Sequence, residues 1–406
     1  MTTNFGHDPA PEATDDRRVV VTGLGAISAA GPTASDLWAT LLDGHSMLTE
    51  HPRGAAGQIG EYAGPAGVPE RFIKLLGRSE QFALDAAVQA VADAQITFNA
   101  ENAYQVGAVI GTAHGPGQAA GRGRLGSGLS GVTIGLNIAG PAFTIAADGA
   151  SGLAAILQAA DLIRSGAISA AIAGGAEAPL RDEVMDAYAE AGLLAEGADT
   201  DGQRPFDLQR RGMVLGEGAA ALLLEERSIA VKRGARIYAE LTGGAQTAGP
   251  PADGQPPSDV DIARRAIGNA FRDSGKAPAE VDLVLTAGIG TIEGDKRETD
   301  VLERSFGSRI QDMYVTAVSP TVGYTAGAAG ALSAVAGCFA IAEGVVPPHA
   351  TYTEIDPECG LDLARKPQRD HLYGAVVSAY GTMGQNASLL IMRHQPEPGD
   401  EVHVLV

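Results

Sequence analysis

Residues 141–178 read PAFTIAADGASGLAAILQAADLIRSGAISAAIAGGAEA. Phe143-Thr144-Ile145 is a short β-prone run, and Asp148-Gly149-Ala150-Ser151-Gly152 is a turn of small residues. Leu153 to Ile163 is apolar on every side except at Gln158 and Asp161, the pattern of a helix buried all round. Ile168 to Ala173 reads as the next strand, closed by Gly174-Gly175. A tight strand-to-helix turn lifts one side chain clear of a sheet and over a helix N-terminus, which is where α/β proteins mount a nucleophile. The residue at this apex is Gly149, which has no side chain to mount.

Outward from this stretch, the chain has the bulk for two packed halves. It is 406 residues long and 45% hydrophobic, with only 5% aromatics and 54 glycines. Small residues let helices and strands approach closely, as a layered α/β core requires. The net charge of −20 argues against nucleic acid or an anionic membrane as a partner. It also opposes direct docking of an acidic carrier unless a local basic patch is present. Of the two cysteines, Cys338 lies in an apolar helical run and reads as a buried thiol. No cysteine–histidine spacing suits a metal, no cofactor motif is complete, and no uninterrupted apolar run is long enough to span a membrane. A cytoplasmic protein without metal or cofactor is expected.

Residues 1–16 are polar and proline-containing and read as a disordered tail. Arg17 to Gly31 opens as a buried strand. Its Gly23-Leu24-Gly25 is an incomplete dinucleotide fingerprint and is assigned instead to a tight turn. Ser35 to Leu42 reads as a helix capped by Ser35, Ser79 to Ala94 as an amphipathic helix, and Val106 to Gly111 as a strand. Gly115 to Gly131 holds seven glycines and reads as a flexible or interface loop, with His114 a loop histidine at its start. Strands are expected at Ala219–Leu224 and Arg236–Gly243. A surface excursion rich in Pro, Gly and Asp follows at 249–258. The second half echoes the first. Val281 to Thr286 matches Val106 to Gly111, and the helix from Ala326 to Ala342 matches Gly149 to Ile163. Closing strands are expected at Tyr373–Ala379 and Ala387–Met392. The expected organisation is therefore two similar βαβ halves, 17–250 and 251–406, with helices sandwiched between two sheets.

With these segments in place the chain resembles the β-ketoacyl synthases of the thiolase superfamily over nearly its whole length. The resemblance rests on RRVVVTGLGAISAAG at the start, RPFD followed by RRGMVLGEGAAALLLE, GIGTIEGDKRET, and AYGTMGQNASLLI near the end. It implies a thiolase-like fold, a five-layer αβαβα sandwich. The departures carry the information. The family's nucleophilic cysteine falls at Gly149, its first catalytic histidine at Ala287, its lysine at Ser319 and its second histidine at Tyr324. Decarboxylative condensation needs a thiolate to hold the acyl chain and paired donors to stabilise the enolate oxygen. Gly149 and Ala287 supply neither, and Tyr324 can donate one hydrogen bond at most.

The resemblance therefore implies a catalytically silent partner subunit, the chain length factor of type II polyketide synthases. Such a subunit pairs with an active ketosynthase α subunit and shapes its acyl tunnel. Acyl carrier protein with its phosphopantetheine-linked chain is engaged mainly through that partner. The familiar members carry glutamine at the nucleophile position, from which Gly149 departs. The family places its tunnel wall and dimer interface between His114 and Gly140, a segment roughly 15–20 residues shorter than usual. Leu125 and Leu129 become tunnel candidates, and Phe143 and Ile145 interface candidates on a strand expected to pair across a two-fold axis. Thr382 stands where the family often has a phenylalanine gate. Arg211, Glu217, Asp295 and Glu298 match its loop-organising residues, although as bare residues Asp295 and Glu298 also read as a solvated helix start. Two other readings stay open: an acyltransferase with its nucleophile relocated to Asp148 or Ser151, and a non-catalytic scaffold for carrier-protein docking.

Overall fold

The computed structural model describes residues 17–115, 127–195, 197, 199–249 and 260–397. The expected tail at 1–16, the excursion at 250–258 and Leu125 lie outside the described residues. Ten strands form one continuous sheet: β1 (Val19–Ser28), β2 (Val106–Gly111), β3 (Ala142–Ile145), β4 (Ala170–Glu177), β5 (Gly218–Glu226), β6 (Ala239–Ala248), β7 (Leu283–Thr286), β8 (Tyr314–Ala317), β9 (Gly374–Tyr380) and β10 (Gln385–Met392). Their spatial order is β8-β7-β9-β10-β6-β1-β5-β4-β2-β3.

The order resolves into two copies of one unit. Numbered along the chain within each half, the strands run 1-5-4-2-3 from the centre to the edge, in β1-β5-β4-β2-β3 and again in β6-β10-β9-β7-β8. The pairing repeats as well. In both halves the first two pairings are antiparallel and the last two parallel. The two sheets expected from the sequence are joined by a three-residue antiparallel pairing of Val19–Val21 with Ala239–Leu241. The chain passes from the first set of strands to the second between Glu226 and Ala239, ahead of residue 250.

Helices fill the other layers. Between the two sets of strands lie α4 (Ser151–Arg164) and α7 (Ala329–Glu343), which are apolar all round because both faces are covered. With its preceding turn, Ala326–Glu343 is the one candidate for a membrane span among the described residues, and it is a core helix here. On the outside of the first set, α2 (Arg78–Asp93) packs on β1, β5 and β4, next to α3 (Ser127–Gly135). On the outside of the second, α5 (Val260–Ser274) packs on β6 and β10 and against α6 (Ile292–Phe306). A smaller helix, α1 (Ala34–Asp43), leans on the middle layer by stacking Trp38 on Phe339.

Local chemistry corrects several expectations. The cap of α1 is Thr33, which forms a reciprocal capping box with Asp36, and Ser35 lies inside the helix. Gly23 and Gly25 make no turn, since β1 continues through them, with a register shift against β5 between Val21 and Gly23. They are bare because α2 lies on the strand: a Cβ at Gly25 would sit 1.9 Å from the Ala86 carbonyl oxygen, and one at Gly23 2.0 Å from that of Ala90. Gly174-Gly175 likewise do not end β4, which continues to Glu177. A Cβ on Gly174 would meet the Ala220 oxygen at 1.9 Å. The glycine-rich stretch after His114 is helical from Ser127, where α3 begins.

Two glycine substitutions should therefore have opposite signs. Gly25→Ala forces α2 off β1 and is expected to cost about 3 kcal/mol or more. Gly268 is exposed in the interior of α5 with open space around its Cβ position. Gly268→Ala is expected to add about 0.5–1 kcal/mol. Urea unfolding of both variants checks the pair.

Candidate active site

The apex predicted from the sequence is a single 3₁₀ turn, Asp148–Ala150, leading directly into α4. Asp148 takes φ +50°, left-handed backbone that aspartate tolerates better than most residues. Ala326, at the matching point before α7, takes φ +43°. The two turns meet across the middle layer: a Cβ at Gly152 would lie 2.9 Å from the Gly327 oxygen, and one at Gly175 2.4 Å from the same atom. Glycine is needed there because backbone packs on backbone.

Gly149 is buried, and the space in front of it is filled. A Cβ built on it would be 2.3 Å from the Tyr324 hydroxyl and 2.6 Å from the Tyr380 carbonyl oxygen. Tyr324 is 1% exposed and sits in an apolar cluster with Met185, Tyr188, Met213, Leu215 and Ala326. Its backbone is clamped on both sides, its N–H donating to Val214 and its carbonyl accepting from Gly216. That is the structural work of the RRGMVLGEG motif, whose Gly216 admits Val322 and Gly323 at backbone distance. The Tyr324 hydroxyl has no hydrogen-bond partner among the described residues, and burial pushes its ionisation well above the ordinary range.

The other two degenerate positions adjoin each other. The Ser319 hydroxyl donates to the Gly288 carbonyl, next to Ala287. Both oxygens of Glu298 accept from this turn, from Ala287 N at 2.9 Å and Gly288 N at 3.0 Å. Asp295 accepts from Phe206 N at 2.8 Å and Gly290 N at 3.0 Å. Both carboxyls are buried, which overturns the reading of a solvated helix start. They hold the loop that carries Ala287. Burial pushes Asp295 up to about 7, and burial with the neighbouring Asp295 charge pushes Glu298 up to about 8.

Glu217 is a structural anchor, bound twice by Arg78 and accepting from Ile59 N at 3.1 Å. Arg211 instead lines a cavity of about 700 Å³, together with Ile289, Lys296, Arg297, Tyr380, Gly381 and Thr382. Leu129, on α3, is partly buried against the cluster around Phe82. On the edge strand β3, Phe143 is 44% exposed, whereas Ile145 packs into the core. The sequence reading missed a polar set beside the apex. His114 Nε2 lies 3.1 Å from the Tyr188 hydroxyl, and burial lowers the histidine's ionisation while Asp148 opposes the shift. Fully buried Glu177 accepts from Ala113 N at 2.6 Å, and burial pushes it up to about 7. Glutamate at the end of an apolar run, in AIAGGAE, was the available signal. Ser151 is engaged by hydrogen bonds. Its hydroxyl accepts from Ala147 N at 2.8 Å and points at the Asp148 carbonyl at 2.6 Å.

Duplicated 1-5-4-2-3 strands around two buried helices, with an apex at the start of the first, define a thiolase-type scaffold. The chain belongs to the β-ketoacyl synthase family: the N-terminal domain profile of that family matches residues 16–230 and the C-terminal domain profile residues 238–353. The chain is 31% identical over 402 residues to Nodulation protein E of Rhizobium leguminosarum bv. trifolii, covering 92% of this chain and 98% of that one. It is 32% identical over 416 residues to a putative polyketide beta-ketoacyl synthase 1 of Streptomyces cyaneus, with coverage of 92% and 98%. Among solved structures it is similar to the ishigamide ketosynthase/chain length factor, with TM-score 0.85, 28% identity and coverage of 93% and 100%. It is also similar to a chain of AntDE:AntF, a type II PKS acyl-carrier protein in complex with its ketosynthase, with TM-score 0.82, 25% identity and coverage of 93% and 100%.

Two predictions follow from the geometry. Removing the unpartnered hydroxyl, Tyr324→Phe, should stabilise the fold by about 1 kcal/mol, because a buried polar group without a partner is costly. Gly149→Ala should destabilise by about 1–3 kcal/mol. In the Tyr324→Phe background that cost should shrink measurably, a coupling that a double-mutant cycle in urea reads directly.

The second concerns pH. Asp295, Glu177 and Glu298 titrate near 7, 7 and 8 in the fold, against 3.8, 4.5 and 4.5 ordinarily. The folded state therefore holds protons that the unfolded chain has released, so their contribution is complete below the ordinary values and lost as pH rises through 7–8. His349, lowered by burial from 6.5 to about 4, acts oppositely and only below its ordinary value. Stability should thus rise as pH falls from about 8.5 to about 6.5, by on the order of 1–2 kcal/mol from Glu298 alone. Melting temperatures across this range check it, and Glu298→Gln should flatten the slope.

Proposed function

We propose that the chain is the non-catalytic ketosynthase-like subunit of a type II polyketide synthase, a chain length factor that pairs with an active ketosynthase and sets how far its acyl chain can grow. One observation carries the proposal: the Tyr324 hydroxyl stands 2.3 Å from where any side chain on Gly149 would begin. The apex lacks a nucleophile, and the volume for one is occupied. A relocated nucleophile is disfavoured by the hydrogen bonds that engage Ser151. The likeness to the ishigamide ketosynthase/chain length factor supports the reading, as do relatives described as polyketide ketosynthases.

Pairing is assigned to β3. It is the outermost strand of its half, bonded to β2 on one side only, and it presents Phe143 to solvent. Such an edge is a liability unless another strand covers it. The chain should co-purify in equal amounts with an active ketosynthase, and Phe143→Asp should dissociate the pair or render it insoluble. In the reconstituted pair with acyl carrier protein and extender units, Leu129→Ala should lengthen the product, read by mass spectrometry, because it removes bulk from the segment assigned to the tunnel wall. An unchanged length distribution in complexes that still assemble would favour a scaffold for carrier-protein docking instead.

A further inference from the structure

Asp148 does something that neither the family resemblance nor the missing nucleophile requires. Its carboxylate Oδ2 accepts from Thr382 N at 2.5 Å, from the Thr382 hydroxyl at 2.7 Å and from Met383 N at 3.2 Å. These bonds join segments 234 residues apart, from different halves of the molecule. The approach is close: a Cβ on Gly381 would lie 3.0 Å from both the Cβ and Oδ2 of Asp148. Asp148 makes these contacts from left-handed backbone, with φ +50°.

The same loop has a second face. Tyr380, Gly381 and Thr382 line the cavity of about 700 Å³, while neither Gly149 nor Tyr324 does. The strip Gly381-Thr382-Met383-Gly384 therefore stands between that cavity and the apex. The strip is the turn of the β9–β10 hairpin, closed at its base by Gly381 N donating to the Gln385 carbonyl at 2.7 Å, and Met383 at its tip is 57% exposed, so little apolar packing holds the tip down. Three hydrogen bonds converging on one charged acceptor are the strongest tie on it, since charge-assisted bonds exceed neutral ones.

We propose that Asp148 is a latch that holds the Gly381–Gly384 loop closed as a wall between the cavity and the buried apex. The cavity then ends blind at Thr382, and a thioester entering it cannot reach Gly149. This rests on the non-catalytic reading and adds to it a positioning residue. Tyr324 fills the space at the apex, and Asp148 shuts the way to it.

Asp148→Gly removes the carboxylate and suits φ +50°, so the fold is retained. Amide hydrogen exchange at Thr382 and Met383 should accelerate at least ten-fold in this variant. It should lie between wild type and this variant in Asp148→Asn, which keeps an acceptor oxygen but loses the charge. The wall itself is tested by placing a thiol behind it. Tyr324→Cys should react slowly with N-ethylmaleimide, and Tyr324→Cys/Asp148→Gly at least ten-fold faster, against the buried Cys338 and Cys359 as internal references. Equal exchange and equal labelling with and without the Asp148 carboxylate would overturn the latch. Thr382→Val, which deletes one of the three bonds, should fall between the extremes, and a rate equal to wild type would count against it. Acylation of the wild-type chain would refute the non-catalytic reading but would alter neither of these rates, so the two ideas fail separately.

Discussion

Two groups cannot occupy one volume, and at the apex of this fold the tyrosine hydroxyl already holds the volume a nucleophile would need. The contact between Tyr324 and Gly149 is fixed from both sides. Gly149 starts a buried helix whose turn is packed backbone to backbone on the matching turn of the other half. Tyr324 is clamped by paired backbone bonds to the 214–216 segment. The Tyr324 ring itself is packed in the buried cluster with Met185, Tyr188 and Met213. The glycine at 149 is thus fitted to the surrounding structure.

Backbone satisfaction shapes the neighbouring loop as well. The turn at Ala287 is held by two buried carboxyls, because Asp295 and Glu298 satisfy backbone N–H groups that would otherwise be buried unpaired. Burial raises both, and the N–H bonds from the loop oppose that shift because they favour the charged carboxylate. The loop geometry around the apex is that of the β-ketoacyl synthase scaffold to which the chain belongs.

Much of this was legible in the sequence, for identifiable reasons. The helices Ser151–Arg164 and Ala329–Glu343 carry apolar residues all round, so burial on both faces and the internal duplication could be read directly. The family could be read because motifs of fixed spacing survive along the chain. Glycines were the least legible. Gly23, Gly25, Gly174 and Gly175 look like turn residues along the chain, but they lie inside strands, where a helix or a neighbouring strand comes within 2–3 Å of the missing Cβ. That partner lies far away in sequence and leaves no local mark. The bond from Asp148 to Thr382 was invisible for the same reason, as was the filling of the apex by Tyr324: both depend on contacts between halves. The solvated reading of Asp295 and Glu298 failed because an acidic pair at a helix start looks identical whether it faces water or a loop of unpaired N–H groups.

The central claim is that the apex can neither form nor reach an acyl intermediate. The most direct measurement is the intact mass of the purified chain after incubation with malonyl- and acyl-loaded carrier protein, alone and in complex with an active ketosynthase. The account predicts an unchanged mass for this chain in both cases, with acylation confined to the partner. An acyl adduct on this chain at Asp148, Ser151 or either cysteine, formed at a rate comparable with the partner's, would contradict it.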